Sequence, residues 1–517
     1  MENNNNNSDE FVRLSAYPAA YAESVGEYVL PDYNADVRKI LFTNAEVHSA
    51  GKFTDAGKTE LCGIVSYDVV YLDNDGDVGS VSFTTDYEAI ARCGIDDPVA
   101  TYDRVKLSGY NLRLVGPRKL SAKATVAVSG EVAYTDSISV LGDSVDTSDS
   151  ERLTVCVRIA STTRFDAVER EFAETVTRLE GAISDEVAVL YKGADACVKE
   201  VVAGETEATV EGELRLCALI RNGDEPIRLA ESSIPYEVKI PVDELNALSK
   251  LIVNASVTSL TAAVNPDENG CDVVLSAIVE FALRADFNNE HEVVTDAYLK
   301  SAPTENTYTS FKYNELVDSL VETGEVAVEI PLSELDTVGL RDVPLVTATA
   351  KIESVEVEGG CAVVSGELRF SGIASESGDD GVSYIGIKHA APFTYSLCLD
   401  DPIEDGALVS VHVTVPEVLA VIDGDVLELT ARLRCEMTVL MPRDIKVLES
   451  MLPSGSEYEK EESRVVVYYP DGDETLFDIA KKFHTTPTAI AADNSLSADV
   501  SAGDKAVGVG VKRLLIL

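Results

Sequence analysis

Apart from its carboxylates, this chain holds few residues able to do acid–base or nucleophilic chemistry. There are five histidines, His48, His291, His389, His412 and His484, and no pair of them has the close spacing of metal ligands on one helix or strand. Ser410 and His412 stand two residues apart in an alternating stretch, so a strand places both on one face. A histidine-activated serine also needs a sharp, glycine-flanked turn around the nucleophile, and Ser410 lacks those glycines. No G-x-x-x-x-G-K-[ST] loop is present to cradle a phosphate. With 90 Asp and Glu residues, paired carboxylates are unavoidable and say nothing about glycosidase chemistry. These residue types argue against an enzyme and imply neither a cofactor nor a catalytic metal.

The string Asp73-Asn74-Asp75-Gly76-Asp77-Val78-Gly79 sets acids at alternate positions, as a calcium loop does. Its sixth position is Val78 where the loop needs glycine, and its twelfth is Thr84 where the loop needs a bidentate carboxylate. Asn222-Gly223-Asp224 and Gly378-Asp379-Asp380-Gly381 occupy corresponding places further along. Asn, Asp and Gly accept positive φ, so all three read as hairpin tips. Nine cysteines lie at 62, 93, 156, 197, 217, 271, 361, 398 and 435, an odd count with no C-x-x-C pair. Several occupy apolar strand positions, such as Cys217, and read as buried free thiols. Oxidative crosslinking in an assembled structure is the alternative.

The elements that must position these groups repeat. Val363-Val364-Ser365-Gly366-Glu367-Leu368-Arg369-Phe370 alternates like a half-buried strand. Thr209-Val210-Glu211-Gly212-Glu213-Leu214-Arg215-Leu216 is nearly the same string, and Glu60-Leu61-Cys62-Gly63-Ile64-Val65 a looser copy. The glycines step by 212 − 63 = 149 and 366 − 212 = 154 residues, a domain-sized period too long for a solenoid. Upstream, Asp36-Val37, Asp185-Glu186-Val187 and Asp342-Val343 recur in phase. Downstream, Asp86-Tyr87-Glu88, Pro235-Tyr236-Glu237 and Pro392-Phe393-Thr394 do the same. Leu275-Ser276-Ala277 and Leu429-Thr430-Ala431 also match, with Val128-Ser129-Gly130 as the first counterpart. The fold class expected is mainly β: three tandem sandwich-like units and a small α+β (βααβ) module. A glycine inside a strand implies a bulge or a close backbone approach at Gly63, Gly212 and Gly366.

The expected layout is a flexible 1–24, unit one over 25–136 and an entry segment 137–180 with apolar residues at helical spacing. That spacing fits a packed helix or a strand pair. Unit two follows at 181–300, a linker at 301–325, unit three at 326–453, a linker at 454–463 and the module at 464–517. The net charge is −48, from 42 Lys and Arg against 90 Asp and Glu. Such a field repels nucleic acid and anionic membranes and suits a basic partner. The opening residues lack a basic n-region and an apolar h-region, and no stretch reaches the ~18 apolar residues of a membrane span. A cytoplasmic protein without membrane insertion is expected.

The module holds 6 Lys and Arg and 7 Asp and Glu, so it is close to neutral. A strand at 465–469 leads through a turn to a helix at 475–483. Thr486 and Pro487 cap and open a second helix, which Asn494 can end in a left-handed conformation. Either 506–509 or 514–517 can supply the closing strand. The helix needs Leu476, Phe477 and Ile479 as core.

This module resembles the LysM family through Gly472-Asp473-Glu474-Thr475-Leu476-Phe477-Asp478-Ile479-Ala480, then Thr486-Pro487 and Asp493-Asn494-Ser495-Leu496. Glu474 is an extra residue in the glycine turn, and Phe477 stands where the family carries tryptophan. The resemblance implies a ligand groove lined by Asp471, Gly472, Asp473, Glu474 and Thr475 on one side and by Ala492, Asp493, Asn494, Ser495 and Leu496 on the other. It implies an N-acetylglucosamine-containing, peptidoglycan-type glycan as ligand. The acids favour a basic protein surface instead. The three upstream units resemble SPOCS repeats, a clostridial spore-coat-associated family, through the glycine strand, the Asp-Val entry and the aromatic after Pro235 and Pro392. Tandem SPOCS units with a C-terminal LysM imply a sporulation scaffold. That scaffold works at the forespore surface in the mother-cell cytoplasm, docking a coat-assembly ATPase during spore coat formation.

Overall fold

The computed structural model describes the chain except residues 1–6, 141–148, 164–167, 181–186, 224, 243–248, 268, 336, 338, 379–380, 459–464, 497–500, 507–512 and 517. Long antiparallel strands dominate it, as alternating Val-, Thr- and Leu-rich segments require. The first body contains β1 (Asn7–Val29), β2 (Val37–Asp55), β3 (Lys58–Asp73), β4 (Val78–Arg92), β5 (Ala100–Gly116) and β6 (Lys119–Val140). Strands β2-β3-β4 form one sheet and β1-β6-β5 the other. Val65, Tyr67, Phe83, Leu120 and Val126 fill the space between them.

After β7 (Ser150–Thr163), the second body contains β8 (Val168–Glu180), β9 (Val187–Ala203), β10 (Glu207–Asn222), β11 (Arg228–Pro241), β12 (Lys250–Asp267) and β13 (Gly270–Leu299). The third contains β14 (Thr304–Pro331), a 3-10 turn, β15 (Leu340–Glu358), β16 (Cys361–Gly378), β17 (Gly381–Leu397), β18 (Leu408–Asp423) and β19 (Val426–Pro453). Strand order repeats in all three: a meander makes one sheet, and the opening strand pairs with the last strand in the other. Separate apolar clusters fill the second and third sandwiches, around Leu214 and Phe281 and around Leu368 and Leu433. Each fully buried side chain of this kind contributes about 1.5–3 kcal/mol.

The recurrent glycines sit where the expectation places them. Gly63, Gly212 and Gly366 pair across the sheet with Tyr87, Tyr236 and Phe393. On the other side each lies at a register shift in its pairing with β2, β9 or β15. A Cβ on these glycines would overlap the carbonyl oxygens of His48, Cys197 and Lys351 respectively. An aromatic ring covers each glycine from the neighbouring strand, a device that restores packing where the side chain is missing.

The three bodies meet at two apolar clusters. Near the hairpin ends of the meanders, Leu41, Phe42, Val70, Leu190, Tyr191, Leu219, Leu345 and Ile373 pack together. Elsewhere β1 with β6, β7 with β13, and β14 with β19 continue as two-stranded ribbons. Their side chains join in a cluster of Phe11, Ile138, Val157, Ile159, Val293 and Val447.

Several expectations are corrected. Residues 7–24, read as flexible, belong to β1, which pairs with β6 from Asn7↔Val140 onward. Their inward Phe11, Tyr17 and Ala22 are buried, and the partner lies over ninety residues away in sequence. For the helically spaced entry segment, read as a packed helix or a strand pair, the structure has the second: it is strand β8, with Phe172 and Val176 exposed beside Arg170, Glu174 and Arg178. Pairing with β13 overrides the 3.6-residue pattern there. The 301–325 linker is largely β14. Cys361 and Cys398 form a disulfide, where the plain reading of the cysteines is buried free thiols; Cys93, Cys271 and Cys435 are buried and free. Antiparallel pairing of Ala362 with Leu397 brings the two thiols together. The first hairpin tip is a turn in which the Asp73 carboxylate accepts the amides of Asp75 and Asp77, both at 2.9 Å. Asp224, Asp379 and Asp380 of the other tips lie outside the described residues.

Candidate functional site

The C-terminal module contains β20 (Val466–Tyr468), α1 (Leu476–Lys482), α2 (Pro487–Asp493) and β21 (Leu514–Ile516). Sequence explains its helix starts. Thr475 caps α1, accepting from the amide of Asp478 at 3.1 Å while the Asp478 carboxylate accepts the Thr475 amide at 3.0 Å. Those reciprocal bonds satisfy two otherwise unpaired amides. Thr486 caps α2 in the same sense, with Pro487 in the first turn. The left-handed residue after α2 is Ser495, with φ 51°, whereas Asn494 keeps φ −103°. Of the two candidate closing strands, 514–516 pairs with β20.

Leu476, Phe477, Ile479, Ala480 and Ile490 form the module's core with Leu514 and Ile516. Phe477 is buried and meets Tyr298 of β13 edge-on, ring centroids 5.1 Å apart. The Tyr298 hydroxyl donates to the Thr485 carbonyl at 2.5 Å, and Lys481 pairs with Asp296 at 2.6 Å. Tyr458 stacks on His484, centroids 3.7 Å apart. The module is therefore seated on the β7–β13 ribbon through α1, with Leu153 also packed against it.

The residues expected to line a groove fall into two loops. In the first, Asp471, Gly472 and Asp473 are exposed and Glu474 and Thr475 half-buried. Segment 502–506 backs this turn, the Phe477 amide donating to Ala502 at 2.9 Å and the Ala506 amide to Glu474 at 3.0 Å. In the second, Ala492, Asp493 and Ser495 are exposed, while Asn494 and Leu496 are half-buried. Asn494 ties α2 to β21: its Oδ1 accepts the Leu515 amide at 2.6 Å and its Nδ2 donates to the Leu515 carbonyl at 2.7 Å.

Asp473 and Glu474 of the first loop have partners inside the molecule. The Glu474 carboxylate accepts the Asp471 amide at 3.0 Å and the Tyr468 hydroxyl at 2.7 Å, and Lys482 lies 3.8 Å away. The Asp471 amide above all, with Tyr468 and Lys482, holds Glu474 below the usual carboxylate range. Lys505 pairs with Asp473 at 2.8 Å and lowers its pKa as well. The extra residue in the turn is thus a structural clamp. Sequence reasoning missed these partners, because Lys505 and Tyr468 carry no local signal of where they fold.

Among the described residues no group of three or more His, Cys, Asp and Glu is placed to hold a metal ion, and no helix is long and apolar enough to cross a membrane. The family model of the LysM domain matches residues 472–505. The chain thus carries a C-terminal LysM domain, a module of the kind that binds glycan or protein. No curated protein and no solved structure matches the chain.

Proposed function

We propose that this chain is a non-enzymatic binding protein that takes an N-acetyl-sugar glycan of the peptidoglycan type in the loops of its LysM domain. One observation carries the reading. The matched segment 472–505 spans both loops, and in the first loop Asp473 is paired with Lys505 while the Glu474 carboxylate is held by Tyr468 and the Asp471 amide. Two of the acids are thereby committed within the fold, which weakens the argument toward a basic protein partner, and backbone groups and small residues of the loops can face a neutral sugar. The three sandwiches then act as a rigid mount.

A second reading is favoured by the threefold recurrence of one strand order. It is the spore-coat scaffold, an acidic SPOCS-type tandem repeat in the mother-cell cytoplasm at the forespore surface, docking a coat-assembly ATPase. Calorimetry on the full chain with chitooligosaccharide and soluble muropeptide separates the two. A Cβ on Gly472 meets nothing within 4 Å, so Gly472→Leu leaves the fold intact and obstructs the loop. Saturable sugar binding that Gly472→Leu weakens at least tenfold is the expected result. A chain that ignores both sugars and retains the ATPase with salt-sensitive affinity replaces the glycan reading with the scaffold.

A further inference from the structure

Ser410 and His412, the hydroxyl–imidazole pair of the sequence, reappear together at the junction of the three sandwiches. Both line a cleft of about 230 Å³ bounded by β9, β12, β14, β18 and β19, into which Arg104 of β5 projects. The cleft shares no residue with the LysM loops, and its occupant does not depend on the glycan reading.

Its charge runs against that of the chain. Arg104, Lys199, Lys250 and Arg434 line it, against Glu200 and Glu436, in a protein of net charge −48. Lys199 is paired with Glu213 at 2.8 Å and Lys250 with Asp318 at 2.7 Å. The two guanidiniums are not matched one to one. Arg104 lies 3.8 Å from Glu436, and Arg434 pairs with that same carboxylate. The Arg434 side chain is 13% exposed, and its Nε–H has no acceptor among the described residues. Buried donors of this kind are ordinarily satisfied. Two guanidiniums around one carboxylate leave N–H groups of the half-exposed Arg104 for an incoming oxygen, with Arg434 beside it.

We propose that this cleft is a binding site for a small oxyanion, phosphate or carboxylate in chemistry, held by Arg104 and Arg434 with the Ser410 hydroxyl as a further donor. Its volume suits an ion or a small acid and is below the range of drug-sized ligand pockets. Because Arg104 comes from the first sandwich and Arg434 and Ser410 from the third, the bound ion would tie those two bodies together beside β9 and β12 of the second.

His412 provides the signature. Burial, with Arg104, Lys106 and Arg434 nearby, pushes its pKa down to about 4 against the opposing pull of Glu436. The other charged groups facing the cleft are Lys199 and Glu200 on β9 and Lys250 on β12, with Asp195 of β9 beside Arg434. An anion between the arginines offsets their repulsion of a protonated imidazole, so occupancy must move the His412 titration upward.

The test uses the full chain at constant ionic strength in chloride. Inorganic phosphate and succinate are titrated separately by calorimetry, and His412 is followed by NMR of labelled imidazole. One saturable site is expected, weakened at least tenfold by Arg104→Gln and by Arg434→Gln, with the His412 titration shifted upward on saturation. Arg104 is half exposed, so its variant keeps the test decisive where the Arg434 variant misfolds. Binding of phosphate alone assigns a phosphoryl ligand, and of succinate alone a carboxylate. No saturable binding of either ion, or binding undiminished in Arg104→Gln, overturns the proposal.

Discussion

Replacing Gly366 by valine tests the reasoning about the recurrent glycine strands directly. Gly366 does not have a left-handed backbone, so the cost is steric. A Cβ there overlaps the Lys351 carbonyl oxygen and stands 2.9 Å from Cε1 of Phe393 and 3.1 Å from Cα of Ile352. The carbonyl belongs to β15 beside the register shift at Ile352 and Ser354, and that pairing cannot open without losing ladder bonds. The Phe393 ring is 4% exposed and must leave its place over the glycine. Overpacking of this kind costs about 1–3 kcal/mol, and two methyls beyond Cβ push toward the upper end. We expect about 2–3 kcal/mol of local destabilisation in the third sandwich. Global unfolding of so large a chain need not be two-state, so the readout is hydrogen exchange of residues 361–397. An opening free energy lowered by about 2 kcal/mol corresponds to exchange roughly thirtyfold faster there, with the second sandwich unchanged. Gly366→Ala should fall between the two. Unchanged exchange in the valine variant would refute the close-approach account and make the recurrence of Gly63, Gly212 and Gly366 incidental.

The seating of the LysM domain gives a second prediction. Tyr298→Ala removes the edge contact to Phe477 and the bond to the Thr485 carbonyl, which should cost about 3 kcal/mol of docking and speed exchange in 476–490 roughly a hundredfold. Exchange as slow as in the native chain would show that the seat is held elsewhere. The junction of the second and third sandwiches carries two titrations of opposite sign. Burial raises Asp195 to about 6, so the folded state binds its proton first and this group's contribution falls as pH rises from about 4 to about 6. His412 is lowered to about 4, so the unfolded state binds its proton first and stability rises over about 4 to 6.5. Relative to the native chain, Asp195→Asn should therefore gain stability, and His412→Gln lose it, as pH rises from 4 to 6 in denaturant titrations. Parallel pH profiles for the two variants would contradict both assignments. In the LysM domain, Asp473→Asn breaks only an exposed ion pair and should leave the melting temperature nearly unchanged, since solvent screens such pairs. A large loss would make Lys505 a structural tie.

Local pattern alone decided a good deal. Alternation made the strands and the sandwich class legible, because a period of two fixes which face of a strand is apolar. The helix starts at Thr475 and Thr486 could be read because capping bonds join residues three apart. The close backbone approach at Gly63, Gly212 and Gly366 could be anticipated because a glycine inside a strand recurs there in phase. What the pattern left open was which apolar face meets which. The closure of β1 on β6, the strand identity of 168–180, the disulfide between Cys361 and Cys398 and the seat of Phe477 on Tyr298 all join segments distant in sequence. Charge partners were decided there too. Asp473 and Glu474 read as a free acidic patch until the fold brought Lys505 and Tyr468 against them. Arg104, Arg434, Ser410 and His412 became one cleft only when three sandwiches packed around it. Electrostatic interaction depends on distance in space, and a sequence specifies that distance only over a few residues along a strand or helix.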